Sequence, residues 1–96
     1  AVIIDDLIST GNTILQAAYK LQQEGASSIY AACTHPVFSN NTAEKLTSSI
    51  FKEVIITDTI PTNSLPPHFV KLSVAGLLAE AIKRIHLETS VSSLFI

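Results

Sequence analysis

The 96-residue sequence has no methionine, one cysteine and only six lysines and arginines, and each shortage narrows what the chain can be. With no initiator, Ala1 leads directly into an apolar run, and that start predicts a piece of a longer protein. Cys33 stands alone in an apolar run, so an internal disulfide is excluded. A reducing compartment agrees with this, and packing is the ordinary use of a lone buried thiol. Six basic side chains against eight acidic ones give a formal net charge of -2, which leaves no basic footprint for sequence-independent binding to nucleic acid or anionic lipid. The apolar runs fall far short of the ~20 residues that cross a bilayer. The first residues also lack the basic start and long apolar stretch of a signal peptide. A cytoplasmic protein is expected, with a plastid not excluded. A hydrophobic content of 47% is enough for one globular domain over residues 1–96, and neither repeats nor low-complexity tracts interrupt it.

Strand and helix signals alternate along the chain. "VIID", residues 2 to 5, reads as a strand buried in a sheet covered on both faces. Ile14, Ala17, Ala18 and Leu21 follow helical spacing, and Gly25 supplies the stop. "SIYAACT" is a second strand, so residues 2 to 34 form a strand, helix, strand unit, the building block of parallel sheets. Asn41 with Glu44 resembles a capping box opening a short helix through about Ser48. "EVIITDT" and "FVKLSV" are a third and a fourth strand, joined by a loop with three prolines between Thr57 and His68. Ser73 is placed to cap a last helix whose Leu78, Ala81, Ile82 and Ile85 share one face, with Lys83, Arg84 and His86 at its negative end. The tail "SVSSLFI" is either a final strand or a docked segment. The order of elements is that of an α/β sheet.

"VIIDDLISTGNT" concentrates the chemistry. Asp5 and Asp6 are expected where the first strand ends, and open parallel sheets bind ligands outside the carboxyl ends of their strands. The pair alone also fits a turn, with one carboxylate accepting loop N–H groups and the other solvated. A magnesium pair like those of nucleotide hydrolases lacks its usual glycine-rich loop with a lysine. Ser9, Thr10 and Thr13 add three hydroxyls, Gly11 removes a side chain, and the helix that follows adds partial positive charge. An ordinary helix cap needs one of those hydroxyls. A loop for phosphate beside carboxylates that accept sugar hydroxyls makes a ribose 5-phosphate cradle. Among the histidines, His35 follows a strand end on the edge that carries the loop, His68 sits among prolines and His86 lies at a helix end. No two have metal-ligand spacing.

The same stretch resembles the phosphoribosyl pyrophosphate motif of type I phosphoribosyltransferase folds: aliphatics, two acids, spacers, then Thr-Gly-x-Thr. "YAACTHPVFS", "EVIITDTIP", "LLAEAIKRIH" and "SVSSLF" then resemble, in order, the carboxyl-terminal part of the ribose-phosphate pyrophosphokinase family. The resemblance implies an incomplete, parallel-sheet α/β domain of the type I phosphoribosyltransferase kind. It also implies an enzyme that passes the diphosphate of MgATP to ribose 5-phosphate. On that basis Asp5 and Asp6 hold the ribose hydroxyls, and Ser9, Thr10, Gly11, Asn12 and Thr13 wrap the 5-phosphate. Ser9 stands where the family often has an aspartate, and Asn12 where a second glycine is common. Ser90, Val91, Ser92 and Ser93 match tail residues that in many relatives help bind regulatory phosphate or ADP between subunits; read on their own they are an exposed polar turn. The resemblance places the catalytic groups, the ATP site and the Mg2+ ligands upstream, and it implies a homo-oligomer. The alternatives are a nucleobase phosphoribosyltransferase, a non-catalytic regulatory relative of the synthetase, and a plain α/β domain with a turn.

Overall fold

The computed structural model describes residues 1–39, 41–47 and 50–95. The chain runs β1 (Val2–Ile8), α1 (Asn12–Gln23), β2 (Ile29–Pro36), α2 (Thr42–Thr47), β3 (Phe51–Thr57), β4 (Phe69–Leu72) and α3 (Ala75–His86), then a 3-10 turn over Ser92–Phe95. The four strands form one parallel sheet in the order β1-β2-β3-β4. Each β-branched run becomes a strand, and the intervening segments carry the chain back across the sheet, as parallel pairing requires. The α/β expectation holds, as do all four strands, although their ends differ by a few residues.

α1 forms because its apolar residues recur at helical spacing, and Ile14 and Ala18 are buried against the sheet. It stops at Gly25, whose φ of 101° is left-handed. The Gly25 and Ala26 amides donate to the Gln22 and Leu21 carbonyls at 3.1 and 3.0 Å, closing the helix end. Asn41 precedes α2 with φ 70°, left-handed rather than the extended angle of a capping-box residue. Ser48, where the sequence ends that helix, lies outside the described residues.

The register puts Ile3, Ala31 and Val54 on one face of the sheet and Ile4, Ala32 and Ile55 on the other. α1 and α2 cover the first face. There Ile14, Ala18, Ala31, Cys33, Leu46, Val54 and Ile56 close the core. The second face is open, which corrects the reading of β1 as covered on both sides: Val2 is 58% exposed and Ile4 79%. β1 is also an edge strand, so only β2 flanks it.

α3 begins where Asp58, just past β3, takes the Val74 amide on Oδ1 at 2.8 Å and the Ser73 hydroxyl on Oδ2 at 2.6 Å. Ser73 in turn accepts the Ala75 amide at 3.2 Å, but the capping position itself is Val74, which makes no side-chain bond, so Ser73 stands one residue before the cap expected of it and Asp58 holds it there. Those two donors keep the Asp58 carboxyl below its ordinary value, the Ser73 hydroxyl most of all. α3 buries none of its residues; Leu78, Ile82 and Ile85 are exposed on its apolar stripe. The tail is a turn rather than a strand. Arg84 ties it to α3 by donating to the Ser90 carbonyl and the Ser93 hydroxyl.

Candidate functional site

The segment Ser9–Thr13 turns β1 into α1. The turn needs Gly11, which caps α1 at φ 83°, an angle that L side chains rarely adopt. A methyl group at Gly11 would face Leu46 and Thr42 at 3.4 and 3.5 Å, ordinary contact distances. The glycine is thus required by its backbone angle, with its missing side chain directed at α2. Gly11 caps α1 with no side-chain hydrogen bond; the Asn12 amide donates to Thr10 Oγ1 at 3.4 Å, which leaves the Thr13 and Ile14 amides of the first turn for a ligand.

Beside this turn lies a cavity of about 200 Å³ lined by Asp5, Ser9, Thr10, Gly11, Thr13 and the aliphatic side chains of Leu7, Ile8 and Ile14. Sites for whole drug-sized ligands run to roughly 300–1,000 Å³. A phosphate group with part of a sugar matches the smaller space. Residues that carry hydroxyls, the start of α1 and one acidic residue line it, a set that offers donors to an anion and an acceptor to hydroxyl groups.

The two aspartates lie within β1, which runs on to Ile8, and not at its end as the sequence predicts. Asp5 lines the cavity, and Asp6 is not among the lining residues. Asp5 Oδ1 accepts the Asp6 amide at 2.8 Å, and Asp6 Oδ1 accepts the Leu7 amide at 2.8 Å. The neighbouring Asp5 side chain, helped by the Leu7 amide and the nearby His35, holds the Asp6 carboxyl below its ordinary value. Asp6 thus favours its ionised form at the strand edge. His35 lies beside β1, opposite Leu7, with Nδ1 2.8 Å from Thr59 Oγ1. It does not line the cavity.

Five of the seven loop and carboxylate residues singled out in the sequence therefore meet at one cavity: Asp5, Ser9, Thr10, Gly11 and Thr13. Asn12 turns instead to α2, where its Oδ1 accepts a hydrogen bond from Lys45 Nζ at 3.2 Å. Ser90, Val91, Ser92 and Ser93 belong to the turn held by Arg84 and line no part of it. His68 is structural, with Nε2 3.1 Å from the Leu46 carbonyl and its ring edge-on to Phe69. Cys33 is buried beside Asp5 in the sheet register, and burial pushes its thiol up to about 11. Sequence reasoning placed a short helix at α2 but missed that it backs the loop. Thr42, fully buried, donates to the Ser9 carbonyl at 2.6 Å across 33 residues of chain, and no local pattern signals a contact of that separation. Among the described residues no three His, Cys, Asp or Glu side chains gather into a metal site. No helix among them is long and apolar enough to cross a membrane.

A four-strand parallel α/β sheet, with a glycine-containing turn from its first strand into its first helix, defines the class of fold. The chain belongs to the family described as the phosphoribosyl synthetase-associated domain, whose profile matches residues 1–96. It is 52% identical to a ribose-phosphate pyrophosphokinase of Nostoc sp. over 99% of this chain and 29% of that protein. It is 47% identical to the chloroplastic ribose-phosphate pyrophosphokinase 2 of Arabidopsis thaliana over 100% of this chain and 24% of that protein. The crystal structure of phosphoribosylpyrophosphate synthetase from Mycobacterium smegmatis superposes with a TM-score of 0.87 at 35% identity, covering 91% of this chain and 30% of that one. The chain thus spans under a third of the length of these relatives.

Proposed function

We propose that residues 1–96 are the carboxyl-terminal phosphoribosyltransferase-like part of a ribose-phosphate pyrophosphokinase, and that they carry its ribose 5-phosphate site. The observation that supports this most is the single cavity that brings Asp5 together with Ser9, Thr10, Gly11 and Thr13. The loop takes the 5-phosphate on its hydroxyls and amides, with the N-terminal end of α1 adding favourable potential. Asp5 accepts ribose hydroxyls, and Asp6 supplies a second acceptor at the strand edge. Anchoring the phosphate fixes the sugar so that its C1 oxygen faces the β-phosphorus of ATP. Attack there transfers the diphosphate and releases AMP. In phosphoryl transfer such positioning is a large share of catalysis.

The charge-stabilising half belongs to other parts of such an enzyme. Mg2+ bound with the nucleotide would neutralise phosphate charge; the described residues hold no cluster fitted to a metal, and no step here is routed through one. The Ser90–Ser93 turn, with hydroxyls beside the Arg84 guanidinium, suits a regulatory anion, and a homo-oligomer belongs to the same reading.

The test is Gly11→Ala in the full-length enzyme. A Cβ at φ 83° strains the loop, while the contacts behind it are of ordinary length. The KM for ribose 5-phosphate is expected to rise about tenfold for roughly 1–2 kcal/mol of left-handed strain, with the KM for ATP unchanged. An unaltered ribose 5-phosphate response would remove the loop from the substrate site.

A further inference from the structure

α2 does not touch the cavity, yet it is tied to the loop that builds it. Thr42 is fully buried, so its hydroxyl needs partners inside the protein. Its one proton goes to the Ser9 carbonyl at 2.6 Å, and its oxygen lies 3.0 Å from the Ser39 hydroxyl, which is then the donor. The Ser39 amide donates to the same Ser9 carbonyl at 3.2 Å. Both lone pairs of that oxygen are therefore engaged on the α2 side. In a trans peptide the carbonyl oxygen and the following amide hydrogen point opposite ways, so the Thr10 N–H is turned away from α2. Ser9, Thr10 and Gly11 line the cavity and no residue of α2 does, the arrangement that a Thr10 amide turned from α2 would serve.

We infer that Thr42 is a positioning residue for the loop: its buried hydroxyl clamps the Ser9 carbonyl and so aims the Thr10 amide at a bound phosphate monoester. This rests on the ribose 5-phosphate reading above and adds a residue that touches no substrate. The Thr42 methyl occupies the space that a Cβ at Gly11 would meet at 3.5 Å, and the hydroxyl sets the direction of the peptide. A β-branched residue without the hydroxyl can keep the first role and lose the second.

The experiment compares Thr42→Val and Thr42→Ser with wild type in the full-length enzyme, measuring KM for each substrate, kcat and melting temperature. Thr42→Val is expected to raise the KM for ribose 5-phosphate by about fivefold to tenfold, the worth of one buried hydrogen bond, and to leave the KM for ATP within twofold. Thr42→Ser restores the hydroxyl and is expected to return the KM to the wild-type value even where the lost methyl lowers the melting temperature. A serine variant with a raised KM overturns the inference, because packing would then be the determinant, and this arm decides even if the valine variant fails to fold. A valine variant with wild-type KM overturns it too. The two readings separate cleanly: if Gly11→Ala raises the KM and Thr42→Val does not, the site stands and the clamp falls, whereas an indifferent Gly11→Ala removes both.

Discussion

Asp5 has two duties that pull its carboxylate in different directions. It accepts the Asp6 amide within its own strand, and it lines the cavity that the hydroxyl loop also lines. Asparagine keeps the shape and an oxygen for the Asp6 amide, but it replaces a charged acceptor by a neutral one. In the full-length enzyme, Asp5→Asn is expected to weaken the ribose 5-phosphate response by about 1–3 kcal/mol in apparent binding while the melting temperature stays close to wild type. Rate against ribose 5-phosphate and a thermal melt without ligand check the two halves. A variant that melts early but keeps its substrate dependence would leave Asp5 as a turn residue. Cys33, its register neighbour, has no comparable duty, since burial keeps its thiol protonated at neutral pH.

The start of α3 is set by a residue from another element. Asp58 accepts the Ser73 hydroxyl and the Val74 amide, and both bonds favour its ionised form. A carboxyl whose folded value lies below its ordinary 3.8 contributes stability that is present above that value and fades as the pH falls through the lower folded one. Neutral solutions therefore have the whole of it, and acid removes it. Asp58→Asn is expected to lower the melting temperature at pH 7 and to flatten its fall in the acid range below about pH 4 relative to wild type, because the titrating group is gone. Melting curves from pH 7 down to pH 2.5 read this directly, and an unchanged slope would assign the acid sensitivity to other carboxylates. The far end of α3 shows a matching economy. Thr89 and Glu88 close the helix on the Arg84 and Ile85 carbonyls, as Gly25 and Ala26 close α1, but with Glu88 in the left-handed position.

At the scale of the molecule, one face of the sheet is closed and the other is bare. Val2 and Ile4 on β1, Leu72 on β4, and Leu78, Ile82 and Ile85 on α3 are each more than half exposed. Burying a large aliphatic side chain is worth about 1.5–3 kcal/mol, so the three on the sheet and the three on α3 each favour a cover. The relatives are more than three times as long, so chain that this segment lacks is present in them. Purified alone, the 96-residue chain is expected to self-associate with rising concentration and to turn over no ribose 5-phosphate with ATP. Sedimentation velocity across a concentration series, with an assay for phosphoribosyl pyrophosphate, tests both. A monodisperse monomer would show that the open face needs no cover.

Local pattern was enough for the elements themselves. Aliphatic, β-branched runs specify strands, and three-and-four spacing specifies α1 and α3. Gly25 marks its own left-handed stop, because each of these effects acts within a few residues. The loop was legible for the same reason: Ser9, Thr10, Gly11 and Thr13 are neighbours in sequence, and a strand-to-helix turn keeps them neighbours in space. Contacts between distant segments decided the rest. Pairing in the sheet carried β1 on to Ile8 and enclosed the aspartates in it, and the four-strand order left β1 at an edge with one face bare. α2 came to lie behind the loop and Asp58 to lie under α3, across separations of 33 and 16 residues that no periodicity encodes. An apolar stripe such as that of α3 states that a surface prefers to be covered; which surface covers it depends on chain packing, because the hydrophobic effect is non-directional.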